Sequence, residues 1–580
     1  MLYKDIFREI IKYLKWEDIK SIRLLNREIK EIIDNIYFYK LYFDAYKVKY
    51  NENKIKNIYN ISSIEELNEY TNIKYIKFSD YFNEPVYKLP NLVTHLIFGV
   101  FFNNLIYNLP QSIIYVEFGE YFNSSIYNLP QSIINLKFGD NFNQSIDNLP
   151  KSITHLTFGR DFNKSIDNLP KSITHLTFGN CFNKSIDKLP KSITHLTFGY
   201  EFNQSVNKLP QSITHLTLGG WKFNKSVNKL PKSITHLTID GFISVNKLPQ
   251  SITHLTFGYC FNQSVNKLPK SITHLIFGNN FNKSVDKLPR SITHLTFGWS
   301  FNKSVDKLPQ SINHLKFSWK FNQLVDKLPQ SITHLTFGYC FNQPVDKLPQ
   351  SIIHLIFDIK FNKSVDNLPK SVTYLRFGNN FNQPVDNLPE SVTHLRFGND
   401  FNQPVDKLPQ SVTYLRFDND FNQPVDNLPK SVTYLIFGND FNQSVDNLPQ
   451  SVIHLIFGEK FNQSVDKLPK SITYLRFGNC FNKSVDKLPQ SITHLIFGRL
   501  FNQSVDKLPK SITHLTFVKH SDFNKKINFK RLSKLQELTI SNYYIYNNIY
   551  NNINKYNIYE NIYNYIYKNT IPKNIKVITR

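Results

Sequence analysis

From residue 73 to about residue 524 the apolar positions recur every 20 residues. With Ile272 taken as place 1 of one repeat, apolar side chains stand at Ile272, Leu275, Phe277, Phe281, Val285 and Leu288, which are places 1, 4, 6, 10, 14 and 17. In His274-Leu275-Ile276-Phe277, Leu and Phe point one way while His and Ile point the other, a period of two that predicts a short β-strand. The rest of the repeat is too short and too rich in Gly, Asn and Pro for a helix. Place 13 is Pro at Pro344, Pro384, Pro404 and Pro424, so no backbone N–H is needed there, and an extended, polyproline-like return is expected. Gly278, straight after the strand, is expected to turn the chain by adopting positive φ. Each repeat thus reads as one right-handed coil, and stacked coils bury six apolar side chains per turn behind a parallel sheet.

The step departs from 20 residues twice in succession. Pro210 to Pro231 spans 21 residues and carries Trp221 as an insertion, whereas Pro231 to Pro249 spans 18 and lacks the Phe-Asn pair. A local kink is expected there. About 23 coils at roughly 4.8 Å each would give a curved sheet with a path of roughly 110 Å.

The two ends differ in kind. Ile6, Ile10, Ile11 and Leu14, then Ile19 and Ile22, then Ile29, Ile32, Ile33 and Ile36 recur at helical spacing, so residues 1–45 read as three short helices, with Asp18 placed to cap the second. Residues 46–72 form a linker or N-terminal cap. Residues 525–580 contain degenerate echoes of the repeat at Leu535-x-x-Leu538-x-Ile540 and Ile571–Ile575, separated by a stretch rich in Asn, Tyr and Ile, and read as a C-terminal cap.

These patterns carry two resemblances. The I-x-x-L-x-F run with LPxSI every 20 residues resembles the shortest class of leucine-rich repeat. The Phe-Asn followed by Gln or Lys, Ser or Pro, and Val or Ile is more similar still to the FNIP repeat of social amoebae and amoeba-infecting giant DNA viruses, over residues 73–524. The resemblance implies a leucine-rich-repeat-like solenoid. At the N-terminus, Leu2-Tyr3-Lys4-Asp5-Ile6-Phe7, the helix ending at Leu14, Glu17-Asp18-Ile19 and Leu25-Asn26-Arg27-Glu28-Ile29 resemble an F-box, with Tyr3 where that family usually has Pro. The F-box likeness implies docking on a Skp-type adaptor of a cullin–RING ubiquitin ligase through exposed apolar residues, here Leu2, Ile6, Ile10, Leu14 and Ile19. Read without it, the same helices are a cap that shields the first coil.

Composition changes this picture little. The net charge of +24 in 580 residues divides into +1 over residues 1–70, +8 from residue 518 onward and about +15 across the repeats, a diffuse excess rather than a phosphate-tracking stripe. No run reaches the roughly 18 apolar residues of a membrane helix, and Lys4, Asp5, Arg8 and Glu9 interrupt any signal-peptide core, so a soluble cytoplasmic protein is expected, in the host cytoplasm if the chain is viral. Cys181, Cys260, Cys340 and Cys480 lie at least four repeats apart, beyond the roughly 7 Å that a disulfide spans, and read as free thiols.

Candidate chemistry is sparse. Place 3 holds 16 of the 17 histidines, a ladder inherited with the repeat rather than a metal row, since no second ligand type recurs beside it. Asn at place 11 is expected to satisfy backbone groups of the turn. Glycine-rich phosphate loops, nucleophile elbows and paired-carboxylate motifs are lacking, so neither catalytic nor cofactor- nor metal-binding residues are assigned. Places 5, 8 and 9 vary while the core places do not. Trp299, Trp319 and Tyr339 fall at place 8 of successive coils, and Arg376, Arg396 and Arg416 at place 5 of three more, with Tyr374 and Tyr414 beside them. Aromatic and arginine clusters on a concave sheet suit a protein target. Repulsion within the arginine row, relieved in part by Asp400, Asp418, Asp420 and Asp440, points to an acidic one. The expected function is that of a non-enzymatic substrate receptor with an F-box end and a target-binding solenoid. A binding scaffold without ligase connection is the alternative, and a nucleic-acid-binding solenoid is a weaker one.

Overall fold

The computed structural model describes residues 56–64, residues 73–540 apart from 88, 128, 242, 519, 520 and 526, and residues 575–579. The helices expected over residues 1–45 lie outside the described residues. The chain divides into two units, one running to Lys303 and the other from Ser304.

In the first unit, β1 (Lys56–Ile61) pairs in parallel with β2 (Ile73–Phe78), and one short strand per coil follows, from β3 (His95–Ile97) to β13 (His294–Thr296). In the second, β14 (His314–Lys316) to β24 (His514–Phe517) continue the series, and β25 (Glu537–Ile540) and β26 (Lys576–Thr579) add two further parallel strands from the echo repeats. Among the described residues there is no helix. The strands occupy places 3 to 5 or 6, as the alternation requires.

Successive coils pair place on place without offset: Tyr374 against His394, Leu375 against Leu395, Arg376 against Arg396. This register stacks every core side chain on its own copy. Val392, Leu395, Phe397, Phe401, Val405 and Leu408 are all buried. Phe397 and Phe401 lie face to face within one coil, 3.8 Å between centroids, and stack on Phe417 and Phe421 of the next at 5.4 and 6.1 Å. Two phenylalanine columns therefore run through the core, each ring adding face contacts to its area burial.

Polar side chains close the backbone groups that the short strands leave open. Asn382 Oδ1 accepts the N–H of Asn402 at 3.0 Å, Asn402 Oδ1 accepts that of Asn422 at 3.0 Å, and the ladder continues through Asn442 and Asn462 at 2.9 Å. Ser at place 20 donates to the place-1 carbonyl of its own repeat, as Ser391 does to Val372 at 2.7 Å. Place 11 thus has the backbone role expected of it.

The glycine expectation needs correction. Among the described glycines only Gly241 has positive φ, at 96°. Gly at place 7 is there because backbones approach closely: a Cβ on Gly398 would sit 2.0 Å from the carbonyl oxygen of Gly378.

Because a coil touches only its neighbours, damage should stay local. Phe381→Ala should cost about 3–5 kcal/mol, and Asn402→Ala, which strands the buried-edge N–H of Asn422, about 1–3 kcal/mol. Hydrogen exchange should accelerate in the mutated coil and its neighbours and stay unchanged in coils 153–192; acceleration throughout would contradict local coupling.

Candidate functional site

Places 3 and 5 project from the strand face because they alternate with the buried Leu at place 4. In the first unit, β6 (His155–Thr157) to β13 place eight histidines in a column. Their rings stack at 4.1–4.2 Å between centroids with planes 12–13° apart. From His175 to His294 each Nδ1 lies 2.9 Å from Oγ1 of the Thr before it. That hydroxyl also stands 3.2–3.3 Å from a carbonyl one coil back, which can only accept. Each Thr–His contact is one hydrogen bond whose donor is set by the ring tautomer. Parallel rings hold equivalent nitrogens side by side rather than converging, and no metal-ready group of three or more His, Cys, Asp or Glu occurs among the described residues. Burial first, then neighbouring imidazoles, hold His175, His195, His215 and His236 below the ordinary histidine value.

In the second unit the place-3 column is mixed. Tyr374 lies between His354 and His394 at 5.4 and 6.1 Å, and Tyr414 between His394 and Tyr434 at 5.8 and 5.1 Å. Beside it, β17 (Tyr374–Arg376), β18 (His394–Arg396) and β19 (Tyr414–Arg416) bring the three place-5 arginines into register. The largely buried Asp418 holds two of them, accepting from Arg396 Nη2 at 3.1 Å and from Arg416 Nε at 2.9 Å. Arg376 is exposed and makes no ion pair among the described residues.

This corrects the electrostatic reading of the row. Of the four nearby carboxylates, Asp418 alone pairs with the arginines. Asp440 pairs instead with Lys460 at 3.0 Å, and the Asp400 carboxyl is raised above its usual value by burial and by Asp420. Asp418 therefore relieves the repulsion between Arg396 and Arg416, and Arg376 is the guanidinium of the row that makes no ion pair among the described residues.

At place 8 of the same unit, Trp319 and Tyr339 stack at 4.1 Å with planes 1° apart, and Lys360 Nζ stands 5.5 Å above the Tyr339 ring. Trp299 is half-exposed and belongs to the first unit. Leu2, Ile6, Ile10, Leu14 and Ile19 lie outside the described residues. Cys181, Cys260, Cys340 and Cys480 are free and partly buried.

Sequence reasoning missed a second aromatic region, on the first coils. Tyr81, Phe101 and Tyr121 stack at place 9, 5.0 and 5.1 Å apart, and Tyr87, Tyr107 and Tyr127 stand exposed at place 15. The signal was present: other coils carry Asp or Asn at place 15.

These features define a leucine-rich-repeat-like parallel solenoid whose variable residues sit on and beside its strands. The FNIP Repeat family model matches in eighteen overlapping segments, from 86–121 to 481–519, and the chain belongs to that family. CroV588, whose crystal structure is that of a novel circular LRR protein, is 37% identical with a TM-score of 0.67, over 88% of this chain and 92% of that one. YopM from Yersinia enterocolitica WA-314 is 17% identical with a TM-score of 0.36, over 79% of this chain and 89% of its own, too distant to bear on the fold. Among curated proteins none matches significantly. No helix among the described residues is long and apolar enough to cross a membrane.

The histidine column makes stability pH-dependent. With native values lowered, the unfolded chain binds protons first as pH falls below about 6.5, so stability is full above that value and declines as pH drops toward the lowered native values. Melting temperature should fall between pH 7.5 and pH 5. The fall should be smaller in His195→Asn/His215→Asn, which carries the residue that Asn135 already places there; an equal fall in both proteins would exclude the column as the cause.

Proposed function

We propose that the protein is a recognition solenoid, with the strand face of the second unit as its target surface. In its finer form, the proposal is that residues 1–45 dock on a Skp-type adaptor, making the chain a substrate receptor of a cullin–RING ubiquitin ligase. The observation that carries the first statement is the in-register set Tyr374, Arg376, Arg396, Tyr414 and Arg416, in which Asp418 holds Arg396 and Arg416. Arginines held in one geometry lose little conformational freedom on binding, which favours affinity. Tyr374 and Tyr414 supply amphipathic area beside them, and the Trp319–Tyr339 stack supplies an apolar shelf on the same unit. A partner that presents a carboxylate to Arg376 and an apolar side chain to Trp319 fits this surface. The ligase connection rests on the F-box resemblance alone. A scaffold with no ligase link remains the second reading, favoured by the repeats themselves, which need no adaptor to bind a target.

Two experiments test these levels separately. Affinity for a target captured from host cytosol should fall roughly tenfold or more with Arg376→Glu, and separately with Trp319→Ala, while Lys363→Glu at place 12 should have little effect. Equal losses from Lys363→Glu and Arg376→Glu would place the target elsewhere. Ile6→Asp/Leu14→Asp should abolish co-purification with a Skp-type adaptor and leave target binding intact, because a charge is not buried unpaired in an apolar contact. A wild type that never binds such an adaptor leaves the scaffold reading standing.

A further inference from the structure

The edge at which β1 begins carries an apolar patch that no other stretch of the repeats has among the described residues. Tyr87, Tyr107 and Tyr127 occupy place 15 of three successive coils and are 58%, 43% and 66% exposed. Leu92, at place 20 of the first, is 48% exposed. In the coils that follow, place 15 is Asp or Asn, tied to the next coil by links such as Lys188 to Asp167 at 2.9 Å and Lys208 to Asp187 at 3.0 Å. Place 20 is otherwise Ser, which donates to a carbonyl, as Ser112 does to Val93 at 2.6 Å. The first coils have exchanged a polar ladder for tyrosines and a leucine. The return backbone also differs there: Tyr107 N–H donates to the Val86 carbonyl at 2.7 Å beside an isolated parallel bridge between Val86 and Ile106, whereas the place-15 N–H of a later coil meets the Ser at place 13, as Asp167 does Ser165 Oγ at 3.3 Å. The bridge uses main-chain groups alone, so it does not by itself call for exposed rings at place 15.

Topology says what can reach this patch. Strand β1 is parallel to β2, with Lys56 aligned on Ile73. Place 1 of each coil is reached through its predecessor's places 15 to 20, so the end of β1 at which Lys56 stands lies at the edge that Tyr87 and Leu92 line. Fifty-five residues precede β1. Ile29, Ile32, Ile33 and Ile36 recur in them at helical spacing, an apolar stripe that needs a surface to cover it. The other aromatic row, Tyr81, Phe101 and Tyr121, follows the strands and lies at their opposite ends.

We propose that the segment preceding β1 docks on this edge, its Ile29–Ile36 stripe against Tyr87, Leu92, Tyr107 and Tyr127. The contact leaves Leu2, Ile6, Ile10, Leu14 and Ile19 free for a partner and gives the N-terminal segment a definite attachment to the first coils. It does not rest on the adaptor reading: the stripe needs cover whether or not the earlier residues bind a ligase.

The test uses the full chain carrying Tyr107→Asp/Tyr127→Asp. Asp is the residue that Asp147 and Asp167 place at the same position, and unchanged exchange at the strand amides of β3 (His95–Ile97) checks that the coils keep their structure. Hydrogen exchange at amides 29–36 should accelerate roughly tenfold or more, and Ile33→Asp should raise exchange around Tyr107 in return. Tyr121→Asp, at the other end of the strands, should change neither. Unchanged exchange at 29–36 in the double variant, or equal acceleration by Tyr121→Asp, overturns the proposal. So does a wild-type dimer that Tyr107→Asp/Tyr127→Asp dissolves, since the occupant is then a second copy. Adaptor binding that persists while exchange at 29–36 is unaffected would sink the docking and leave the ligase reading intact.

Discussion

The structure depends on the zero-offset pairing of each coil with the next. A coil of 20 residues cannot bury six apolar side chains by itself, because it has no second layer; only the coils on either side cover them. Parallel pairing at place on place brings Leu395 to Leu415 and, through the strands, Phe397 to Phe417. Every side chain must then tolerate its own copy as neighbour at about 4.8 Å. Flat apolar rings and groups that both donate and accept meet that condition, which is why Phe, Asn, Ser, Thr and His form columns.

Charged residues do not meet it, and the chain handles them in two ways. On the return segment, Lys at place 16 pairs with Asp at place 15 of the coil before, so that unlike charges meet although the register is zero; Lys487 and Asp466 lie 2.9 Å apart. These exposed pairs prevent repulsion more than they add stability. On the strand face the three arginines do stack on one another, and a carboxylate at a place normally held by Gly, Asp418, bridges two of them.

The same constraint explains the irregular coils. A step of 21 residues followed by one of 18 leaves the strands undisturbed, with His215, His236 and His254 still aligned. The difference is absorbed in the turns. In a regular coil the place-9 N–H donates to the place-8 carbonyl one coil back, as Asp400 does to Asn379 at 2.8 Å. The short coil lacks that turn, and Asp240 Oδ1 takes the carbonyl's place, accepting from Cys260 N–H at 2.8 Å. A buried carboxylate thus repairs the ladder, so the expected kink does not extend to strand register.

By itself the sequence determined the period, the strand at places 3 to 5, the buried set and the membership of Arg376, Arg396 and Arg416 in one row. All of these follow from alternation and repetition, which are local and survive in any register-matched stack. Tertiary structure decided what depends on direction and on approach distance. Gly398 is required by a neighbouring carbonyl rather than by φ. Asp418, and none of the three other nearby aspartates, reaches the arginines, because place 7 flanks place 5 on the strand face whereas place 9 has turned away. The tyrosines of the first coils stood in the sequence as departures from Asp or Asn. That they line the edge at which β1 begins follows only from the parallel pairing of β1 with β2, since the direction of a strand, unlike its period, is not written in the residues that form it.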